Sequence, residues 1–544
     1  MSYLTYRRPI QYALTNNLLQ SLITSGRHYS AATASTIQPH QYPSFQRLSA
    51  TLSLNQPCFG ARGDEVELLN EPSLFYQRLI EMISRAKRRI LISTLYIGAE
   101  EGELLESIKA ALTNNPQLRV MFILDYHRAT RLAPHPNIPP STAHLLLPLV
   151  ERFPERCEVW LFRSPKLKGI MEKIVPTRYD EAWGTWHGKW YGVDDEVIIS
   201  GANLAHSYFT NRQDRYIHFK SNPGLLSYLS SLARLFTQYS YLLNHSTPPH
   251  ISPYNIIPLP SPDDQASAPA IATSRSRASL IWSSPSLHQR GFVPHALATL
   301  TAFQNSWRAS NVSRSRRVDI DTWFWPVLQA GVLGIREEEK AMEEVWKAVT
   351  GCYQNEEGNE QVEVDLTSGY FGLYRRYKQA IIESPAPVDI IAASPKANGF
   401  YGSNGFSRLI PEGYTLLESR FHQNTIKAGR QWDVEKGVGV RLKEWERDGW
   451  TYHSKGLWVS PPSNKPFLTF AGSSNLSTRS LTLDTELSMV MMTSSPVLRR
   501  ALQKEIQNLH TYAVDVGEET WKLKERKVSW LAWVLTALGV EKML

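Results

Sequence analysis

One short pattern, written twice, constrains this chain more than any other feature. Trp186-His187-Gly188-Lys189-Trp190-Tyr191-Gly192-Val193-Asp194 sets a histidine and a lysine two apart, and the apolar run Val197-Ile198-Ile199 and the turn Ser200-Gly201-Ala202-Asn203 follow. Tyr452-His453-Ser454-Lys455-Gly456-Leu457-Trp458 repeats the arrangement, followed by Phe467-Leu468-Thr469-Phe470 and Ala471-Gly472-Ser473-Ser474-Asn475. The acid downstream repeats too, because Asn203 to Asp214 and Asn475 to Glu486 are both eleven residues. One His-x-Lys carries no information. Two with matched Asn and acid spacing call for two copies of one structural unit.

Along a strand the side-chain period is two, so His-x-Lys turns an imidazole and an ammonium to the same face. A glycine-bounded turn can bring the Asn amide to the same edge, and an acid beyond it can accept the proton on the imidazole nitrogen that faces away from the reaction. Two such units facing each other supply two histidines, two lysines and two asparagines. Lysines and amides stabilise phosphoryl oxygens, one neutral histidine can attack phosphorus, and the other can transfer a proton. The lysines provide the positive charge that Mg²⁺ provides elsewhere, so this chemistry requires no metal and no cofactor.

At 544 residues the chain is long enough for several packing units. Helix and strand alternate from Pro72 onward: Phe75, Leu79, Met82, Ile83 and Ala86 recur at helical spacing. Ile90 to Ile97 then reads as strand, Glu103 to Leu112 as helix and Leu118 to Leu124 as strand. A second such pattern begins near Val318, with Val388 to Ala393 its clearest strand. Alternation of this kind predicts α/β halves with a parallel or mixed sheet covered on both faces. Between them, residues 245–317 are rich in Pro and Ser and read as a linker or insertion outside any compact layer.

Charge separates the N-terminus from the rest. Residues 1–63 hold Arg7, Arg8, Arg27, Arg47 and Arg62 with no lysine and no acid, so they carry five of the chain's eight net positive charges and leave +3 for residues 64–544. An acid-free, Arg- and Ser-rich start without an apolar stretch is expected to be a mitochondrial transit peptide within a disordered N-terminus, cut near Arg27-His28-Tyr29-Ser30. The near-neutral remainder argues against a general nucleic-acid surface. Three cysteines, Cys58, Cys157 and Cys352, are too few and scattered for a disulfide framework or zinc cluster. No run is long and apolar enough to span a bilayer. At the C-terminus, Lys522, Lys524, Arg526 and Lys527 precede Trp530, Leu531, Trp533, Val534, Leu535 and Leu538. That pattern suits an interfacial helix or a terminal helix packed on its own core, and both readings stay open.

The H-x-K-x4-D pattern with its Gly and Asn turn resembles the phospholipase D superfamily. The stretches Asp64 to Gly98, Leu124-Asp125-Tyr126 with Arg128 and Arg131, and Ser200 to Tyr216 resemble, within it, the mitochondrial phosphatidylglycerophosphate synthase family; the likeness runs roughly over 64–244 and 318–492. The resemblance implies an α/β fold of two phospholipase D-like α/β/α sandwich halves, residues 64–244 and 318–544, packed as a pseudo-dimer around one active site. It implies CDP-diacylglycerol and glycerol 3-phosphate as substrates, peripheral contact with the mitochondrial inner membrane, and no nucleic acid.

Carried over residue by residue, the resemblance makes His187 the nucleophile and Lys189 its phosphate-binding neighbour, and counts Asp194, which completes the motif, among the catalytic residues. His453 becomes the general acid and base and Lys455 its partner. Asn203 and Asn475 would hold phosphate oxygens, and Asp214 and Glu486 would orient the histidines. Arg128, Arg131 and Lys396 are further candidate substrate contacts, and no metal ligand is implied. The second motif departs from the pattern: Ser460 stands where an aspartate is expected. A hydrolase of the same superfamily, using water as acceptor, shares the chemistry up to a covalent intermediate and stays open at this point.

Overall fold

Apolar residues alternate along the strands, and the alternation sorts them into separate cores. Along Thr485–Thr493, Leu487, Met489 and Met491 enter one core while Val490 and Met492 enter another; Trp458 and its neighbours Leu457 and Val459 divide the same way. The larger core is shared by both halves of the chain, so the second sheet is buried on two sides, by its own helices and by the first half. In this computed structural model residues 42–133, 138–175, 177–246, 251–260, 278–314, 319–354, 361–403 and 405–537 are described. The expected processing site at Arg27 to Ser30 lies outside them, as does Leu538.

Two ten-stranded mixed sheets form the molecule. In the first, eight neighbours run in the order Val66–Leu68, Tyr216–Phe219, Glu196–Ser200, Trp190–Val193, Arg89–Ser93, Arg119–Asp125, Cys157–Phe162, Ser240–Asn244. In the second the order is Thr322–Ala330, Thr485–Thr493, Leu468–Gly472, Lys455–Ser460, Glu363–Ser368, Val388–Ala393, Val440–Trp445, Ala513–Asp515. Each pairing has the same sense in both: the fifth, sixth and seventh strands are parallel and their neighbours antiparallel. The sequence repeat is therefore a structural repeat, and the two α/β halves expected from it are present.

Local signals explain the covering helices. Pro72–Ser84 begins at its proline and buries Phe75, Leu79, Met82 and Ile83, the spacing read from sequence. The strand expected over Ile90 to Ile97 stops at Ser93, and the chain then turns so that the Tyr96 ring lies 4.3 Å beneath the Arg128 guanidinium.

Two boundaries need correction. Residues 42–63 are not a disordered tail. Helix Pro43–Asn55 buries Phe45, Leu48 and Leu52 in the second half's core, and Phe59–Ala61 pairs with Thr322–Ala330 at the edge of the second sheet. Full burial of such side chains contributes about 1.5–3 kcal/mol each, which holds the segment down. Nor is 245–317 only a linker. Ile256–Pro258 and Ser279–Trp282 extend the first sheet beyond Ser240–Asn244, and helix Val293–Arg314 enters the larger core through Ala296 and Leu300. Prolines punctuate this segment, but its short strands sit at the sheet edge, where Pro258 is tolerated.

Candidate active site

The His-x-Lys segments lead into strands at the middle of each sheet, and each is tied to the opposite half. His187 N–H donates to Thr485 O, and His453 N–H donates to Gln213 O, both at 2.8 Å. Thr485 precedes Glu486 and Gln213 precedes Asp214, so the links are related by a pseudo-two-fold exchange of the halves. Parallel pairing of Thr451–Tyr452 with Arg212–Gln213, and the bridge from Trp186 to Thr485, extend them.

The acids are consequently exchanged. Nδ1 of His187 lies 2.7 Å from Glu486 Oε2, and Nδ1 of His453 lies 2.6 Å from Asp214 Oδ2. Read within one repeat, each acid would serve its own histidine; docking of the halves gives each histidine the other half's acid.

Burial sets the protonation states. It lowers the pKa of His187 and takes His453 well below the ordinary value, outweighing the attraction of the carboxylates. Burial alone would raise the carboxyls. For Glu486, His187, Lys189 and Ser473 reverse that and hold it at about 2; for Asp214, Lys455 and His453 reverse it and hold it below its ordinary value. The cluster therefore holds two carboxylates and two neutral imidazoles; a carboxylate only accepts, so each imidazole donates Nδ1–H to its acid and keeps a lone pair on Nε2.

The lysines lie deep in the same cluster. Lys189 Nζ donates to His187 O at 2.8 Å, and Lys455 Nζ sits 3.3 Å from Asp214 Oδ2 and 2.6 Å from His453 Nδ1. Burial, chiefly, lowers Lys189 to about 7 and Lys455 to about 8. Gly201 makes this closeness possible: a Cβ there would fall 2.5 Å from Asp214 Oδ1 and 2.6 Å from Lys455 Nζ.

The asparagines stand at the turn positions the repeat assigned them. Asn203 is held between Thr94 Oγ1 and Tyr208 Oη, while the Asn475 side-chain oxygen is buried without a partner. Tyr208 and Tyr370 flank His453, with ring centroids 5.3 and 5.4 Å away in edge geometry.

Asp194 stands apart, which corrects its assignment as a catalytic residue. Five residues of strand, roughly 16 Å, separate it from Lys189. Its carboxylate instead accepts the backbone N–H groups of Lys87, Arg88 and Arg89 at 2.8, 2.7 and 3.1 Å. Ser460 therefore costs the second motif no reacting group. Arg128 and Arg131 share the carboxylate of Glu181, and Lys396 pairs with Glu446 at 3.0 Å with its side chain 63% exposed, outside the buried cluster.

Two arginines not singled out from sequence are at the site. Arg212 stacks on Tyr208 at 4.5 Å, donates to Thr451 Oγ1 and acts electrostatically on His453. Arg479 pairs with Asp484, which in turn holds the Thr185 N–H just ahead of His187. The available signal was an arginine between Asn and acid in both repeats.

Among the described residues, Asp365, Asp389 and His510 are grouped closely enough for a metal ion, but Lys443 and Arg441 already contact Asp389. They lie toward the far end of the strand Glu363–Ser368 from the His453 cluster.

No family model matches the chain. It is 34% identical over 506 residues to the CDP-diacylglycerol--glycerol-3-phosphate 3-phosphatidyltransferase of Schizosaccharomyces pombe, covering 90% of this chain and 96% of that one. It is 32% identical over 525 residues to the Saccharomyces cerevisiae protein of the same name, with 94% of each covered. The mitochondrial counterpart from Gallus gallus is 30% identical over 498 residues, covering 89% of this chain and 84% of that one. Among solved structures, the phosphatidylserine synthase of Haemophilus influenzae superposes with a TM-score of 0.62 at 18% identity, covering 92% of this chain and 99% of that one, and so shares the fold.

Proposed function

The chain belongs to the CDP-diacylglycerol–glycerol-3-phosphate 3-phosphatidyltransferase family and transfers a phosphatidyl group from CDP-diacylglycerol to glycerol 3-phosphate; from that premise we propose that the transfer passes through a phosphohistidine on His187. The observation that carries this reading is the crossed pairing of His187 with Glu486 and His453 with Asp214, which leaves an Nε2 lone pair on each ring. His187 is the more open of the two, its side chain 11% exposed against 4% for His453. That difference supports His187 as the ring that takes the substrate phosphorus.

In the first step Nε2 of His187 forms a bond to the phosphorus bearing diacylglycerol, and the bond from that phosphorus to the CMP oxygen breaks. Glu486 balances the charge that develops on the imidazole. CMP leaves as a phosphate whose oxygen is only weakly basic, so little acid catalysis from His453 is needed. In the second step the acceptor does need a base. Neutral His453, the form that burial favours, takes the proton of the glycerol 3-phosphate hydroxyl as its oxygen attacks and displaces His187. Lys189, Lys455 and the two asparagine amides bind the phosphoryl oxygens. This scheme runs on the chain's own cations, with no metal or cofactor, and the rate is expected to withstand EDTA.

We further infer a mitochondrial location with peripheral contact at the inner membrane, which the mitochondrial relatives and the lipid substrate support. No described helix is long and apolar enough to cross a membrane.

The test is CMP release from CDP-diacylglycerol in detergent micelles, with and without glycerol 3-phosphate. Multiple turnovers that require glycerol 3-phosphate, yield phosphatidylglycerophosphate and vanish in His187→Ala are expected. Sustained release of CMP and phosphatidic acid regardless of acceptor would mean that water is the acceptor.

A further inference from the structure

Among the described residues, nothing packs over an apolar face at the C-terminal end. Helix Trp530–Ala537 buries Ala532 but leaves Trp530 76% and Trp533 53% exposed. Three residues apart on a helix, the two indoles share one side. The helix is nevertheless firmly attached. Arg526 forms a two-pronged ion pair with the buried Glu444, and the Ser529 N–H donates to Glu412 Oε2 at 2.8 Å. Lys524 and Lys527 sit on the same short lead-in.

This element neighbours residues that lead by ring contact to the catalytic site. Lys527 and Val528 line a cavity of about 190 Å³ together with Tyr401, Arg408 and Pro411. Tyr401 and its neighbour Phe400 are 59% and 36% exposed. Packing links Phe400 to the site: its ring centroid lies 6.0 Å from Tyr370, and Tyr370 lies 5.4 Å from His453. An exposed aromatic rim with lysines among it thus begins two ring contacts from the reacting histidine.

We propose that this rim, Phe400, Tyr401, Trp530 and Trp533 with Lys524 and Lys527, seats the enzyme on an anionic bilayer. Tryptophan and tyrosine have an apolar body and a polar edge that suit the head-group layer, and lysines beside them are attracted to negative lipid. The placement serves the chemistry. A two-chain lipid keeps its acyl tails in the bilayer while its pyrophosphate reaches the histidines, so the surface that meets the membrane has to adjoin the mouth of the site. This inference rests on the membrane contact proposed above and assigns it to a particular face.

The full chain is mixed with vesicles of phosphatidylcholine, or of phosphatidylcholine with phosphatidylglycerol, and floated. Wild type is compared with Trp530→Ser/Trp533→Ser and Lys524→Glu/Lys527→Glu, and the turnover of each is measured in detergent micelles. Wild type floats with the anionic vesicles, less so at high salt. The tryptophan variant binds about tenfold more weakly, the lysine variant at least about fivefold per charge, and both keep the wild-type rate in micelles. Variants that float like wild type would overturn the assignment of this face, and a wild type that floats with neither vesicle would overturn the membrane contact itself. A second readout needs no variant: amide exchange over 528–537 slows when anionic vesicles are added to wild type, and unchanged exchange there would also overturn the proposal.

Discussion

Glu486 accepts a hydrogen bond at 2.7 Å from His187, a residue 299 positions earlier and in the other half of the molecule. Neither half is complete alone: each supplies a histidine and a lysine to its own strand and an acid to its partner's histidine. The arrangement makes the active site and the interface between the halves one structure.

Glu486 acts through His187, as a positioning residue, by fixing the tautomer that leaves Nε2 free. Glu486→Gln keeps the shape but favours the other tautomer. A fall in kcat of roughly 10²–10⁴ with little change in KM is expected, by analogy with the loss of a triad aspartate. Steady-state kinetics on folded protein checks it; a change confined to KM would contradict the role.

The lysines predict opposite pH trends for activity and stability. With folded values of about 7 and about 8 against 10.5, folding releases protons, so the unfolded chain binds more of them and stability rises with pH across that window. Phosphate binding needs the charged amines, so kcat/KM falls over the same range. A pH profile of kcat/KM beside urea midpoints at each pH checks both signs.

Arg215 crosses between the halves just beside Asp214. Its side chain, 2% exposed, pairs with Glu505 at 2.8 Å, donates to Phe470 O and stacks 3.9 Å from Trp458. Arg215→Ala strands the Glu505 carboxylate and is expected to destabilise by about 3–5 kcal/mol. Arg215→Met with Glu505→Leu should recover much of that, because the unpaired charge is gone. Urea unfolding of both variants is the measurement.

Asp194 holds three backbone N–H groups from a left-handed conformation, φ 52°, that alanine adopts poorly. Asp194→Ala is expected to cost about 2 kcal/mol or more and leave kcat near wild type. A stable protein with no turnover would return Asp194 to the catalytic machinery.

How much of this was legible in the sequence depends on how local each feature is. The repeat placed His187, Lys189, His453, Lys455 and both asparagines, because strand periodicity and one turn settle those positions. It did not say which acid meets which histidine, since that depends on docking two halves whose contacts are hundreds of residues apart. Asp194 misled because a motif spacing names a residue without saying which end of a strand it occupies. Helix Pro43–Asn55 was hidden because its targeting-like composition masked the apolar stripe of Phe45, Leu48 and Leu52. The edge strands at Ile256 and Ser279 were hidden by the prolines around them.

The central claim, covalent transfer through His187, is tested most directly by rapid mixing of the enzyme with CDP-diacylglycerol in the absence of glycerol 3-phosphate, followed by an alkaline quench and mass analysis of the protein. The account predicts a burst of CMP close to one per site and a phosphatidyl adduct on His187, both absent in His187→Ala. An adduct on His453, or CMP release that begins only when glycerol 3-phosphate is added and leaves no adduct, would contradict it.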